Sequence, residues 1–144
     1  MINATTRQRV VQEAKSWLCT PYHHHGGVKG AGVDCAMLLA CVYSAAGVIP
    51  AIDPRPYPHD WHMHRSAERF LSWVEQYADR TDTPQPGDVA MFQFGRCVAH
   101  GAIVVAWPLV IHAYLDERAV VLTDVSKSSD LCNRLHGFYT FKGA

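Results

Sequence analysis

The chain has 144 residues, 49% hydrophobic and 18% charged, with 13 basic side chains against 13 acidic ones. That size and mixture describe a single globular domain over 1–144, able to remove about 70% of its unfolded surface from water without staples. Zero formal net charge argues against bulk attraction to nucleic acid or an anionic membrane, so neither is expected as a partner.

Thr5 or Thr6 can cap a first helix that runs to about Leu18. Val10, Val11, Ala14, Trp17 and Leu18 recur at helical spacing and predict one buried stripe. Thr20 to Val33, TPYHHHGGVKGAGV, reads as a His- and Gly-rich loop. A second helix starts near Asp34 and runs to about Ala46, with Gly47 as its stop. Being apolar almost all round, it is expected at the centre of the molecule. Four prolines make Pro50 to Pro58 an extended loop, and a third helix is expected over Met63 to Tyr77.

TDTPQPGD, Thr81 to Asp88, is a turn, and the periodicity changes after it. Strands are expected at Val89 to Phe94, Ala102 to Ala106, Leu109 to Tyr114, Ala119 to Leu122 and Phe138 to Phe141. Helices first and strands afterwards predict an α+β domain, its N-terminal helices packed on an antiparallel sheet of about five to six strands.

Five cysteines, an odd number without a CxxC pair, argue against a disulfide framework and leave at least one thiol free or paired with another molecule. Cys35 differs from the others in position. It follows a glycine-rich loop and opens the buried helix, where free N–H groups and the positive end of the helix dipole would lower a thiol pKa and hold an oxyanion. A thiol nucleophile wants a histidine base held by a third polar group. His100 opens one apolar strand and His112 sits in the next. A three-residue turn centred on Ala106 would set the two histidines facing each other. A two-residue turn would set them on opposite faces of the sheet.

TPYHHHGGVKGAGVDCAMLL resembles the cysteine-bearing motif of NlpC-type cysteine peptidases, with its Pro-Tyr pair, Gly-rich loop and Asp-Cys dipeptide. PQPGDVAMF is similar to that family's turn into the first core strand, HGAIVV to the strand beginning with the base histidine, and VIHAY to the strand of the third polar residue. The resemblance implies a papain-like fold and hydrolysis of peptidoglycan stem peptides at the bond between D-glutamate and the diamino acid. It implies Cys35 as nucleophile, His100 as base and His112 as the group that orients it. Tyr22 would serve the oxyanion or hold the thiolate, and Asp34 would line the cleft and face a substrate amine. YPHDWHMHRSAERF and the closing FYTFKGA resemble the branch carried by tailed phages and gene transfer agents, which implies phage tail-tip proteins as partners. With no apolar h-region in Met1 to Lys15, synthesis in the bacterial cytoplasm without a signal peptide is expected. One departure is Met37, where the family usually has glycine.

Three rival readings compete. His23, His24 and His25 are contiguous, and Cys35, His100 and His112 form a potential Cys-His-His metal set, but no ligand spacing such as HxxxH supports it, so no metal or cofactor is expected. A catalytically silent tail component would keep the fold alone. A lipid acyltransferase on a permuted fold would place histidine before cysteine, the reverse of the order here. His59, His62 and His64 are expected on loops or the surface.

Overall fold

The computed structural model describes residues 1–51, 53, 55 and 67–143. Most of the expected Pro50–Pro58 loop, the expected helix start at 63–66, and His59, His62 and His64 lie outside the described residues.

Helix α1 spans Ala4–Ser16. Its cap is Asn3, not Thr5 or Thr6: the Asn3 side chain accepts the Thr6 N–H at 2.9 Å. Both threonines sit inside the first turn, where the backbone is already helical. Val10, Val11, Ala14 and Trp17 are buried as expected, but Leu18 is 36% exposed. The helix closes at Trp17, so Leu18 falls beyond the periodic stripe.

Helix α2 spans Cys35–Ala45, capped by Asp34 and followed by Gly47 in the left-handed region at φ 76°. Eight of its residues are buried, and it is wedged between α1 and the sheet. Helix α3, Ala67–Tyr77, packs Phe70 and Val74 into the same core. No described helix is long and apolar enough to cross a membrane.

Two short strands, β1 (Gly27–Val28) and β2 (Gly32–Val33), make a small hairpin inside the His-rich loop. The main sheet contains β3 (Ala78–Thr81), β4 (Val89–Phe94), β5 (Cys97–Ala106), β6 (Leu109–Tyr114), β7 (Ala119–Asp124) and β8 (Leu135–Phe141). Its order is β3-β8-β4-β5-β6-β7, with every neighbour antiparallel. The α+β expectation and the strand number are therefore met. Strand β5 begins five residues earlier than the sequence pattern marked, so His100 lies within it.

Alternation divides the sheet between two apolar clusters. Met91, Ile103, Ile111, Ala113 and Tyr139 pack beneath the helices. Phe92, Ala102, Val104, Val110, Val125 and Leu131 form a smaller cluster that none of α1, α2 and α3 joins.

The Pro-Gly-Asp turn ties the layers together. Asp88 Oδ1 meets Arg7 Nη1 at 2.7 Å, and Asp88 Oδ2 accepts the Gln85 N–H. Arg7 also donates to Pro86 O and Thr140 Oγ1, while the Tyr43 hydroxyl donates to Gly87 O at 2.8 Å. A buried ion pair with further hydrogen bonds on both partners fixes geometry more than it adds stability, and here it fixes α1 and α2 over the start of β4.

Candidate active site

The loop before Cys35 is held by its backbone. Cys19 N–H donates to Val120 O, Val120 N–H to Thr20 O and Tyr22 N–H to Arg118 O, so the chain lies along the free edge of β7. It then folds on itself through His23 N–H to Val33 O and Val33 N–H to Pro21 O. Two glycines permit this closeness: a Cβ on Gly26 would come within 2.7 Å of Gly32 backbone atoms, and one on Gly32 within 2.8 Å of the His23 Cβ.

Asp34 ends the loop. Its Oδ1 accepts the Met37 N–H at 3.0 Å and its Oδ2 the His25 N–H at 2.8 Å, with His24 Nδ1 3.8 Å away. The side chain is only 2% exposed. The structure sets Asp34 in the cap of α2 and the root of the His loop, because the residue before a helix start is well placed to satisfy first-turn N–H groups.

Cys35 is the first residue of α2 and 6% exposed. Its Sγ contacts Ala99 O at 3.8 Å, and the N–H groups of Gly101 and Ala36 also reach it. Ala99 and Gly101 flank His100, so the sulfur rests against the β5 backbone on either side of that residue. Burial pushes the thiol pKa well up and the Asp34 carboxylate adds to this, while the N–H groups pull it down only in part. The expected depression by the helix start is therefore outweighed by desolvation. Half-buried Tyr22 packs on the core nearby. Its phenol pKa is raised by burial, then by Cys35 and Asp34.

His100 Nε2 lies 2.8 Å from His112 Nδ1, and His112 Nε2 lies 2.9 Å from Thr123 Oγ1. The line runs diagonally over three strands. The β5–β6 turn is the two-residue kind, with Ala106 opposite Leu109, but Val105 bulges and shifts the register so that Val104 opposes Val110. That extra residue returns His100 and His112 to one face. Thr123 opposes Val110 and so shares the face of His112. Aromatic rings enclose the pair: Phe92, Phe94 and Tyr114 stand 5.6 to 5.9 Å from His100, and Tyr114 stacks on His112 at 4.8 Å. The Tyr114 hydroxyl donates to Asp130, which also holds Arg134 Nε at 3.1 Å. Burial, followed by the neighbouring His112, holds His100 well below the usual histidine range, and burial lowers His112 to about 4. With Nε2 engaged, Nδ1 is the His100 nitrogen left for another partner.

Of the five residues singled out from sequence, Cys35, Asp34 and Tyr22 converge at the start of α2, and His100 and His112 join across β5 and β6. Thr123 was missed, because a lone hydroxyl in a strand carries no chemical signal without the register. Met37 packs its methyl toward Gly27, which has no Cβ to obstruct it. Among the described residues no group of three or more His, Cys, Asp or Glu side chains stands together to hold a metal ion.

Residues 19–130 match the NlpC/P60 family. Among solved structures, the chain is similar to a protein described as similar to lipoprotein, NLP/P60 family, from Staphylococcus aureus (TM-score 0.70, 21% identity, 97% of this chain and 42% of that one). It is similar to NlpC2 from Trichomonas vaginalis (0.69, 17%, 97% and 50%). It also resembles the NlpC/p60 domain of the peptidoglycan hydrolase SagA (0.62, 19%, 96% and 98%). At these identities the likeness shows the fold, and the chain spans half or less of the first two. No curated protein matches it.

Proposed function

The chain belongs to the NlpC/P60 family, and we propose that it is a thiol hydrolase that cuts amide bonds in peptidoglycan stem peptides. The observation that carries this reading is the hydrogen-bonded line His100–His112–Thr123 together with a cysteine at a helix start whose sulfur meets the backbone of Ala99 and Gly101, the residues flanking His100. The peptidoglycan hydrolase named among its structural neighbours supports the substrate class.

The chemistry follows from the protonation states. Desolvation disfavours charge on both the Cys35 thiol and the His100 imidazole, which favours base-assisted attack over attack by a standing ion pair. His100 Nδ1 takes the thiol proton as sulfur bonds to the carbonyl carbon. N–H groups of the first turn of α2, with the Tyr22 hydroxyl, receive the oxyanion. The C–N bond breaks, His100 returns the proton to the leaving nitrogen, and water, deprotonated by the same imidazole, hydrolyses the thioester. Asp34 acts by holding the first turn and the His loop.

The finer readings are cleavage after the D-glutamyl residue and association with a phage tail tip. Both rest on the motif resemblance, the second on segments 57–70 and 138–144. The primary test incubates the protein with purified peptidoglycan fragments beside Cys35→Ala and reads products by mass spectrometry. A new amine and carboxylate pair, lost in Cys35→Ala, is the expected result. Fragments that survive intact would leave the silent structural component as the better reading, and product formation that persists in Cys35→Ala would remove the thiol mechanism.

A further inference from the structure

We infer that Thr123 is a positioning residue that fixes the tautomer of His112 and, through it, the proton position on His100. The inference deepens the proposed hydrolase and rests on that reading for its effect on turnover.

The argument is one of hydrogen bookkeeping. A neutral imidazole carries a single N–H, on one nitrogen or the other. His100 can accept the thiol proton only if Nδ1 is bare, so its own hydrogen must be on Nε2. That hydrogen points at His112 Nδ1, 2.8 Å away, which must then be a lone pair. His112 consequently carries its hydrogen on Nε2, and the atom facing it is Thr123 Oγ1 at 2.9 Å. In this arrangement the hydroxyl accepts. If it donated instead, every hydrogen in the line would reverse: His112 would carry Nδ1–H, His100 would accept at Nε2, and Nδ1 of His100 would present a hydrogen to the thiol. That form cannot act as base.

The surroundings make the hydroxyl the deciding group. His112 is fully buried and the ring of Tyr114 lies nearly parallel to it, and the half-buried Thr123 supplies the hydroxyl that meets its Nε2. The position of Thr123 is set by register, since β6 and β7 pair without a shift over Leu109 to Tyr114. A β-branched side chain in a strand has restricted χ1, which keeps Oγ1 aimed at the ring. The atom that meets His112 Nε2 is a hydroxyl, which leaves the buried imidazole pair neutral.

The test uses protein labelled with 15N in histidine and compares wild type, Thr123→Val and Thr123→Ser. Thr123→Val is nearly isosteric and removes the hydroxyl, donor and acceptor alike. In wild type, one-bond couplings and 15N shifts are expected to show a proton on His112 Nε2 and none on His112 Nδ1. In Thr123→Val that signal is expected to move toward the Nδ1–H form, and Thr123→Ser to restore it. On wall fragments, kcat for Thr123→Val should fall by about 10-fold to 100-fold, with KM within about twofold, and Thr123→Ser should recover most of it. An unchanged His112 tautomer in Thr123→Val overturns the inference, whatever the activity. A tautomer that moves as expected in a protein whose wild type cuts no wall fragment upholds the control by Thr123 and overturns the proposed function instead.

Discussion

His100 Nε2 and His112 Nδ1 are 2.8 Å apart because one bulged residue, Val105, corrects a turn that would otherwise set the two rings on opposite faces. The bond uses the His100 nitrogen that the thiol does not need. Replacing His100 by Ala should therefore remove general-base catalysis, a loss of about 10²- to 10⁴-fold in kcat/KM. Replacing His112 by Ala should cost less, because it frees the His100 ring to turn without removing the base. Equal rates for His100→Ala and wild type would eliminate the assigned base.

The cysteines differ by exposure as well as by neighbours. Cys19 and Cys132 are exposed, whereas Cys35 is buried with its pKa pushed up. A bulky or charged alkylating reagent should label Cys19 and Cys132 first. A small neutral reagent such as iodoacetamide should reach Cys35, and this labelling should slow in His100→Ala while labelling of Cys19 and Cys132 is unchanged. Peptide mapping reads all five sites. Cys35 labelling indifferent to His100 would break the proposed pair.

Much of this was legible in the sequence. The strands Val89–Phe94 and Leu109–Tyr114 were readable to the residue, since apolar runs bounded by turn residues carry that signal. The helix start at Cys35 was equally plain from the glycine-rich loop and the apolar run. The missed pieces depend on distant partners. Ala78–Thr81 has the sequence ADRT, which lacks alternation, and is a strand only because β8 pairs with it from 57 or more residues further along. Thr123 gained a role only from the β6–β7 register, and the His100–His112 geometry turned on a bulge that no pattern in the sequence marks.

Buried neutral histidines make stability pH-dependent with a definite sign. His112 is lowered by burial to about 4, against 6.5 when unfolded. Between these values the unfolded chain binds a proton that the folded chain refuses, so stability falls as pH falls through this window and is fully present above it. The loss from His112 alone is on the order of 3 kcal/mol, and His100 adds in the same direction. Urea unfolding at pH 7 and pH 4.5 measures it. His112→Asn should lose clearly less stability over that interval than wild type, and equal slopes would refute the burial account.

Arg7 is the one cation hydrogen-bonded to Asp88 among the described residues. Arg7→Met keeps the stem volume but leaves Asp88 buried and uncompensated, at a cost of about 3–5 kcal/mol. Arg7→Met with Asp88→Asn should recover part of this, because the stranded charge is gone. A single variant within about 0.5 kcal/mol of wild type would show that the pair does not clamp the layers.

Asp34 separates two roles that a sequence motif cannot. If it selects a substrate amine by charge, Asp34→Asn should raise KM for muropeptides bearing a free amine and leave stability almost intact. If it acts as the structure places it, as cap and loop anchor, the signature differs. Asn keeps an acceptor oxygen for the Met37 N–H but would present an NH2 group toward one of its two N–H partners, Met37 or His25. Asp34→Ala loses both bonds, and the cap alone is worth about 0.5–2 kcal/mol. The expected order of thermal stability is thus wild type, then Asn, then Ala, with kcat falling in the same order as the first turn of α2 loosens around Cys35. The Asp34 carboxylate also raises the Cys35 pKa, so both variants should make the thiol more acidic by charge while disturbing its position. Iodoacetamide labelling of Cys35 across pH separates the two effects: an alkaline limb moved to lower pH together with reduced kcat is the capping outcome. An unchanged melting temperature in Asp34→Ala, with a KM effect confined to amine-bearing substrates, would return Asp34 to the substrate.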